Sequence, residues 1–190
     1  MNKTLLAFTL GDGYLDNRGT LKITHCEKQK EYLEYKAKIF DANILYKLNN
    51  KFPAYYFSKG TFNNKWGGKE IRKKLYGVMN HKYYSKTIVK EMDKYCFAIL
   101  YCDDGGLFPK KKNGKITAYN MTISTYCSYE ECERLQKRIC ELFNVNFHII
   151  KDKNKYLLRC GTREARKFLI QIKPLIPLFE CFKDNKLKDI

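Results

Sequence analysis

Hydrophobic and polar positions follow the same order of patterns twice along the chain. A short apolar stretch begins each half, at residues 5–10 and 97–102. Each half then shows alternating stretches, a stretch with helical periodicity, two β-rich runs around a turn and a last helical stretch. Alternation predicts strands, and a period of about 3.6 residues predicts helices. We therefore expect helix, two strands, helix, two strands and helix in each half, which is an α+β fold.

The predicted elements have definite positions. Amphipathic helices are expected over residues 27–40 and 130–143, and the second begins with Ser128 and Glu131 at the spacing of a capping box. Hairpins are expected from residues 44–48 with 54–58, and from residues 147–150 with 156–160. The alternating strands at residues 21–24 and 119–124 should turn their apolar side chains toward the helices.

Two helical stretches near the ends of the halves share their sequence. Residues 69–75 and 163–169 have Glu, Arg, Lys and Leu in register at an offset of 94 residues. Self-similarity of this kind indicates repeated structural units. We expect two repeats, residues 1–94 and 95–190. Because no linker composition separates them, they should share one core.

The charge of the chain indicates its partner. Lys and Arg total 37 against 20 Asp and Glu, a formal net charge of +17, while 44% of the residues are hydrophobic. A disordered basic tail would lack that apolar content. Nucleic acid is the expected partner, because each phosphate that is neutralised releases counterions. An anionic membrane surface is the alternative, but the basic residues are scattered rather than grouped beside one apolar helix face.

The cysteines and the length of the apolar runs indicate the cellular compartment. The chain has eight Cys and no Cys-x-x-Cys pair, which argues against zinc because zinc sites use closely spaced ligands. Several cysteines lie in apolar runs, so we expect buried free thiols in a reducing cytoplasm or organellar matrix. No apolar run of about 18 residues and no signal-peptide pattern is present, so neither a membrane span nor export is expected.

Each apolar helix ends at an Asp-Gly pair, and the two aspartates, Asp12 and Asp104, are 92 residues apart. Helices of like sequence that contain small residues can pack closely, which would bring the two carboxylates together. Close carboxylates favour a cation between them, and oxygen ligands suit Mg²⁺. The alternative is that each Asp-Gly is only a turn after a core helix. The repeat and the net charge favour metal-dependent cleavage of nucleic acid.

The nonamers LLAFTLGDG, at residues 5–13, and FAILYCDDG, at residues 97–105, resemble the paired motifs of LAGLIDADG homing endonucleases in the monomeric, two-motif form. The resemblance implies tandem pseudo-two-fold αββαββα repeats, with two antiparallel sheets that form a DNA-binding saddle around a paired-helix interface. It implies a mobile-element enzyme that cuts both strands of a long, nearly unique DNA site with Mg²⁺. Mn²⁺ should substitute, and Ca²⁺ should bind without supporting cleavage.

The resemblance also assigns residues. The last acidic residue of each motif, Asp12 and Asp104, should hold the metal, with the preceding Gly11 and Asp103 as further candidates. A basic residue from each repeat should stand beside the scissile phosphates. Lys86 and Lys183 are expected in that role, with Lys186 as the reserve for the second repeat. The motifs depart from the family pattern at Leu10, Ile99 and Cys102.

DNA should be contacted by outward strand faces, because Lys and Arg can bind phosphates or guanine and small polar side chains can read base edges. The strand candidates are Lys22, Thr24, Lys47, Ser58, Lys59, Asn120, Thr122, Ser124, Lys151, Lys155 and Arg159. Lys110, Lys111 and Lys112 should grip the DNA backbone from a loop. Trp66 is expected in the core. Two alternatives on the same fold stay open: an RNA-splicing maturase that binds intron RNA, and a catalytically silent DNA-binding protein.

Overall fold

The computed structural model describes residues 1–49, 52–61, 67–76, 81–183 and 186–190. Trp66 and the expected turn at residues 50–51 lie outside the described residues. A 3₁₀ turn at Glu27–Gln29 precedes the second helix. The first half contains α1 (Lys3–Leu10), β1 (Tyr14–Leu15), β2 (Thr20–Cys26), α2 (Lys30–Ile39), β3 (Leu45–Asn49), β4 (Phe52–Gly60) and α3 (Gly68–Tyr76).

One additional short helix ends the first half, and the second half then repeats this order, with a 3₁₀ turn at Lys173–Leu175 before its last helix. The order of helices and strands expected from the sequence pattern is confirmed. The elements are α4 (Lys86–Glu91), α5 (Lys94–Asp104), β5 (Gly105–Lys112), β6 (Lys115–Cys127), α6 (Tyr129–Phe143), β7 (His148–Asp152), β8 (Lys155–Gly161), α7 (Thr162–Ile172) and α8 (Glu180–Lys183).

The two halves form two antiparallel sheets of four strands with the same topology. The strand orders are β1-β2-β4-β3 and β5-β6-β8-β7. In β2, Leu21, Ile23 and His25 are buried while the residues between them are exposed, as alternation requires. One apolar core includes residues from both halves, from Leu5 to Leu187.

Helices α1 and α5 pack against each other in the middle of this core. Residues 5–10 of α1 and 96–102 of α5 are buried without exception. A helix that is apolar on every side can be stable only where other elements cover it completely. The contact is tight where the helices end, since a Cβ added to Gly11 would lie 2.1 Å from Asp103 Oδ2.

Both motif helices end at or just before their Asp-Gly pairs. The Gly13 N–H donates to the Phe8 carbonyl at 3.0 Å, beyond the last turn of α1. In the second half the Gly105 N–H donates to the Tyr101 carbonyl, so α5 includes Asp104 as its last residue. The aspartates are therefore presented at the end of two packed helices.

The start of α6 connects the halves. The capping box that the sequence predicts is present, because Ser128 accepts from the Glu131 N–H and Glu131 accepts from the Ser128 N–H. The second carboxylate oxygen of Glu131 accepts from the Tyr84 N–H at 2.8 Å. A cap in the second half therefore also fixes the segment that precedes α4.

The eight cysteines are all described, and all are free thiols. Five of them are buried as expected, but Cys26 and Cys140 are exposed. Among the described residues, no helix combines the length and the apolar character that crossing a membrane requires.

Replacing Gly11 by alanine should destabilise the fold, because the new methyl group would overlap the Asp103 carboxylate. Overpacking of this kind costs about 1–3 kcal/mol in the free energy of unfolding. Urea denaturation of Gly11→Ala measures it. Gly161→Ala is the control, because nothing lies within 4 Å of its added Cβ; as a helix N-cap it should lose less than about 1 kcal/mol. Equal stability of the two variants would contradict the close contact.

Candidate active site

Asp12 and Asp104 line one cleft at the end of the paired helices. The cleft has a volume of about 1040 Å³ and is bounded by both motif ends, by Lys82 and by the last part of β6. The Asp12 side chain is 35% exposed. The sequence pattern placed the two aspartates side by side, and the helix packing brings them to the same cleft.

The two carboxylates are poorly compensated. Burial, the neighbouring Asp12 and the neighbouring Asp103 raise the pKa of Asp104 from 3.8 to about 7. Burial and the Asp103 charge also raise the pKa of Asp12. Nearby lysines oppose both shifts without cancelling them. A pair of acids in this state gains from a cation between them.

Two lysines bind the carbonyl ends of the motif helices. Lys82 Nζ donates to the Gly11 carbonyl and, at 3.3 Å, to the Leu10 carbonyl. Lys186 Nζ donates to the Cys102 carbonyl and, at 3.0 Å, to the Asp103 carbonyl. Burial lowers the pKa of both lysines, and the carboxylates nearby oppose that shift. The two halves thus place one ammonium each at equivalent positions.

These lysines differ from the pair expected from the sequence. Lys86 is the first residue of α4 and lines a separate groove with Lys90 and Arg134. Lys183 forms an ion pair with Glu180 at the surface. The structure thus places Lys186, the reserve for the second repeat, at the end of α5, while Lys86 and Lys183 make other contacts. Which of these lysines stands beside the scissile phosphates stays a prediction.

The position of Lys82 had a sequence signal. Ser85 caps α4 by accepting from the Ile88 N–H at 3.2 Å, which commits Lys86 to a helix and leaves Lys82 in the loop before it. Serine is among the residues most often found at the N-cap of a helix. The loop itself is held by Tyr84, whose buried hydroxyl donates to the Leu10 carbonyl.

A buried charge cluster lies behind Asp12. Asp103 Oδ1 accepts from Lys36 Nζ at 2.7 Å, and both side chains are 0% exposed. Asp103 Oδ2 accepts from the Asp12 N–H at 2.9 Å. Burial alone would raise the pKa of Asp103, but the Lys36 ammonium, together with His25 and the Asp12 N–H, holds the pKa below its usual value. Both oxygens of Asp103 therefore already have partners.

His25 completes the cluster as a neutral ring. Its Nε2 lies 3.2 Å from Lys36 Nζ, which can only donate, so Nε2 accepts and Nδ1 bears the proton. Nδ1 lies 3.1 Å from Gln29 Oε1 and 3.5 Å from Asp12 Oδ2. Burial and the Lys36 charge lower the pKa of His25 to about 4.

Ligand atoms of Asp12, His25 and Asp103 lie within 4.8 Å of one another, a spacing that a metal ion could use. The Lys36 ammonium already supplies the positive charge there, and His25 Nδ1 is a donor. Among the described residues, no lysine or arginine forms an ion pair with Asp12 or Asp104, so these two acids fit a divalent cation better. The Gly11 carbonyl, another candidate ligand, accepts from Lys82.

The first sheet presents four of its five expected DNA-contacting residues on one outer face. Lys22 and Thr24 are exposed on β2. Lys22 pairs with Ser58, and Lys47 pairs with Ala54. Ala54 and Ser58 lie four residues apart in β4 and so point to the same face, which these side chains share. Lys59 does not, because neighbouring residues of a strand point to opposite faces. It pairs with the buried Leu21 and forms an ion pair with Asp41.

The second sheet agrees with the expectation in part. Asn120 and Ser124 alternate with the buried Met121 and Ile123, and both are half-buried. Lys155 and Ser124 line the cleft, and Lys155 is exposed. The half-buried Arg159 pairs with Thr122 on the outer face. Lys110, Lys111 and Lys112 are exposed at the end of β5, in a strand rather than in a loop.

Two expected contacts on this sheet need correction. Thr122 has the outward register but is only 6% exposed, so its side chain is covered by neighbours. Lys151 pairs with Tyr156, and Tyr156 lies two residues before the buried Leu158 on the same face of β8. The backbone of Lys151 therefore directs its side chain toward the core face of the sheet. It is exposed because it lies near the end of the hairpin.

Comparison with known proteins shows which family and fold the chain resembles. Residues 5–168 match the model of the LAGLIDADG DNA endonuclease family. The fold is similar to the homing endonuclease I-WcaI bound to its DNA recognition sequence, with a TM-score of 0.76 and 21% identity over 98% of this chain and 84% of that chain. It is also similar to the meganuclease I-AabMI bound to uncleaved DNA, with a TM-score of 0.61 and 12% identity over 96% and 86% of the two chains.

A further likeness is to the N-terminal LAGLIDADG domain of DUF199/WhiA. Its TM-score is 0.51 and its identity 14%, over 93% of this chain and 82% of that chain. At these identities the solved structures show a shared fold. The expected two-repeat architecture is confirmed.

The raised pKa of Asp104 should make stability depend on pH. The folded protein keeps this proton up to about pH 7, whereas the unfolded chain releases it near 3.8, so the free energy of unfolding falls as pH rises through this window. Asp104→Asn removes the ionisable group and with it this loss of stability at high pH. In EDTA, its melting temperature should exceed that of the wild type by more at about pH 8 than at about pH 5, with roughly 2–4 °C for each kcal/mol. Asp41→Asn gives the baseline for removing one acidic charge, and a pH-independent difference for Asp104→Asn would contradict the shift.

Proposed function

Because this chain belongs to the LAGLIDADG DNA endonuclease family, we propose that it is a site-specific endonuclease that hydrolyses both strands of a long duplex DNA target. The observation that carries the proposal is the pair of under-compensated carboxylates, Asp12 and Asp104, in one cleft at the ends of paired helices. A structural turn would not need two acids held against their mutual repulsion.

Duplex DNA as the substrate is supported by charge and by the position of the strands. The net charge is +17, and exposed lysines occur on the outer faces of both sheets. Two of the similar structures are complexes with DNA. In this proposal Lys22, Lys47 and Lys155 neutralise phosphates, while Ser58 and Asn120 contact base edges.

The metal in this proposal is Mg²⁺, held by Asp12 and Asp104. Hard oxygen donors fit it, and two acids whose pKa values are raised by burial and by neighbouring carboxylates gain from a cation between them. When bound, the metal would activate a water and stabilise the leaving oxygen of the phosphodiester. Mn²⁺ would substitute, and Ca²⁺ would bind without supporting cleavage.

Lys82 and Lys186 have two further roles in this proposal. Lys82 and Lys186 fix the ends of the motif helices through their carbonyls, which aims the aspartates. Their ammonium groups lie near the carboxylates and would offset negative charge that develops on the phosphate. The cleft gives room for the backbone of the DNA at both acids.

We also propose that the enzyme acts as a monomer of two repeats, residues 1–94 and 95–190. Both motif helices belong to one chain and pack against each other, so a second copy is not needed to build the cleft. An intracellular mobile element, such as an intron, is the proposed genetic setting. Binding of intron RNA, as by a maturase, would add a second partner.

Replacing either acid of the cleft should stop cleavage and spare binding. The target is first selected from a randomised duplex library incubated with Mg²⁺, by sequencing the cut ends. Asp12→Asn and Asp104→Asn should then cut this target at least about 10²-fold more slowly, because each removes a charged metal ligand. Binding in Ca²⁺ should stay near the wild-type affinity, because it is spread over many phosphate contacts.

Asp41→Asn, on the surface, is the matched control and should cut normally. Specific binding without any cleavage by the wild type would favour the catalytically silent DNA-binding protein. Full activity of both cleft variants would remove the metal-nuclease assignment of this site.

The lysines at the helix ends should matter more than the lysines that the sequence favoured. Lys82→Ala and Lys186→Ala should slow cleavage by about 10²–10³-fold, the usual loss for one electrostatic stabiliser. Lys86→Ala and Lys183→Ala remove the same charge outside the cleft and should slow it by less than about threefold under the same conditions. Single-turnover cleavage in Mg²⁺ compares the four variants. The reverse order of effects would return the role to Lys86 and Lys183.

A further inference from the structure

The two halves of the site differ at one matched position. Gly11 and Asp103 are the residues directly before Asp12 and Asp104, so they are equivalent in the repeat. Only Asp103 has a side chain, and it points across the interface to accept from the Asp12 N–H at 2.9 Å. Gly11 can offer nothing comparable to Asp104.

The backbone explains why only Asp12 receives this support. Asp104 is the last residue of α5, so the helix itself fixes its position. Helix α1 ends at Leu10, and Gly11 then turns out of helical geometry with φ −86° and ψ −120°. Asp12 therefore lies in a turn, where the hydrogen bond to Asp103 replaces the restraint of a helix.

The support behind Asp103 is unusually well fixed. Lys36 of α2, fully buried, donates to it at 2.7 Å, and its ammonium lies 4.1 Å from the centre of the Tyr32 ring. His25 accepts from the same ammonium at 3.2 Å. The cost of burying such a pair is large, and an apolar pair of similar volume is often equally stable. Stability alone therefore does not account for a charged pair at this point.

We propose that Asp103, held by Lys36 and His25, is a positioning residue for Asp12. The proposal rests on the proposed endonuclease function. Because Gly11, at the position equivalent to Asp103, has no side chain that could support Asp104, the two halves of the site depend unequally on this cluster. The two acids lie in halves of matching topology at one cleft, so in this proposal each acts mainly on a different strand of the duplex. Loss of the Asp103 hydrogen bond should therefore slow the cleavage of the strand that Asp12 serves far more than that of the other.

Two double variants separate positioning from stability. K36M/D103L and K36M/D103N both remove the buried ion pair, but asparagine keeps an oxygen that can accept from the Asp12 N–H and leucine does not. The selected duplex, labelled on one strand at a time, is cut in Mg²⁺ and the two strand rates are measured. Thermal unfolding and binding to the duplex in Ca²⁺ are measured beside them. Exchange of the Asp12 amide hydrogen, followed by NMR, reports the hydrogen bond directly.

We expect both variants to fold and to bind the duplex within about threefold of each other. The ratio of the two strand rates should change at least about tenfold in K36M/D103L, since small misplacements of reacting groups have effects of this size or larger. The ratio should stay near its wild-type value in K36M/D103N. The Asp12 amide should exchange faster only in K36M/D103L. If leucine prevents folding, K36M/D103A makes the same removal with a smaller side chain.

Three results would overturn the inference. An equal loss on both strands in K36M/D103L would assign the cluster a purely structural role. The same change of ratio in both double variants would assign the effect to the lost ion pair rather than to the hydrogen bond. A wild-type protein that cuts neither strand would overturn the proposed function itself, and the inference with it.

Discussion

Asp103 of α5 lies against Gly11 at the end of α1, closer than any side chain at position 11 would allow. This contact sets the distance between the two halves at the point where the acids emerge. It also determines what surrounds them, because Lys82 and Lys186 bind the carbonyls of the same two helix ends.

The charges around this contact have unequal environments. Asp103 is fully buried with a lysine partner, and its pKa is lowered. Asp12 and Asp104 face the cleft, and their pKa values are raised. The protein thus pairs one acid internally and leaves two whose charges the neighbouring lysines compensate only in part. Adjacent residues of one motif, Asp103 and Asp104, have opposite roles because one points between the helices and the other into the cleft.

Sequence patterns were sufficient for the repeated architecture and for the two acids, because both follow from periodicity and from matched motifs. They were insufficient where a loop decides the outcome. Lys82, Lys86 and Lys90 are spaced alike in a lysine-rich segment, and only the start of α4 at Ser85 distinguishes them. Lys59 was misplaced because Ser58 was assigned the same face, against the alternation of a strand.

The buried lysine of the cluster was also missed, although it had a signal. Lys36 follows Tyr32 by one helical turn and stands beside Ala37, on the row of α2 that otherwise faces the core. A lysine in such a row needs a buried acid as its partner. That partner lies 67 residues away in the other half, and no local pattern identifies it.

The hydrogen bond from the Tyr84 N–H to Glu131 limits where such a protein can be cut into separate halves. The loop that presents Lys82 belongs to the first half, but its backbone is fixed by a carboxylate at the start of α6 in the second. Arg134 of the same helix donates to the Tyr84 carbonyl at 2.9 Å. The first half alone would have its acid but not the support for its lysine. A chimaera that joins halves from two relatives therefore has to transfer Glu131 and Arg134 together with the loop at residues 81–85, as one unit that does not coincide with either repeat.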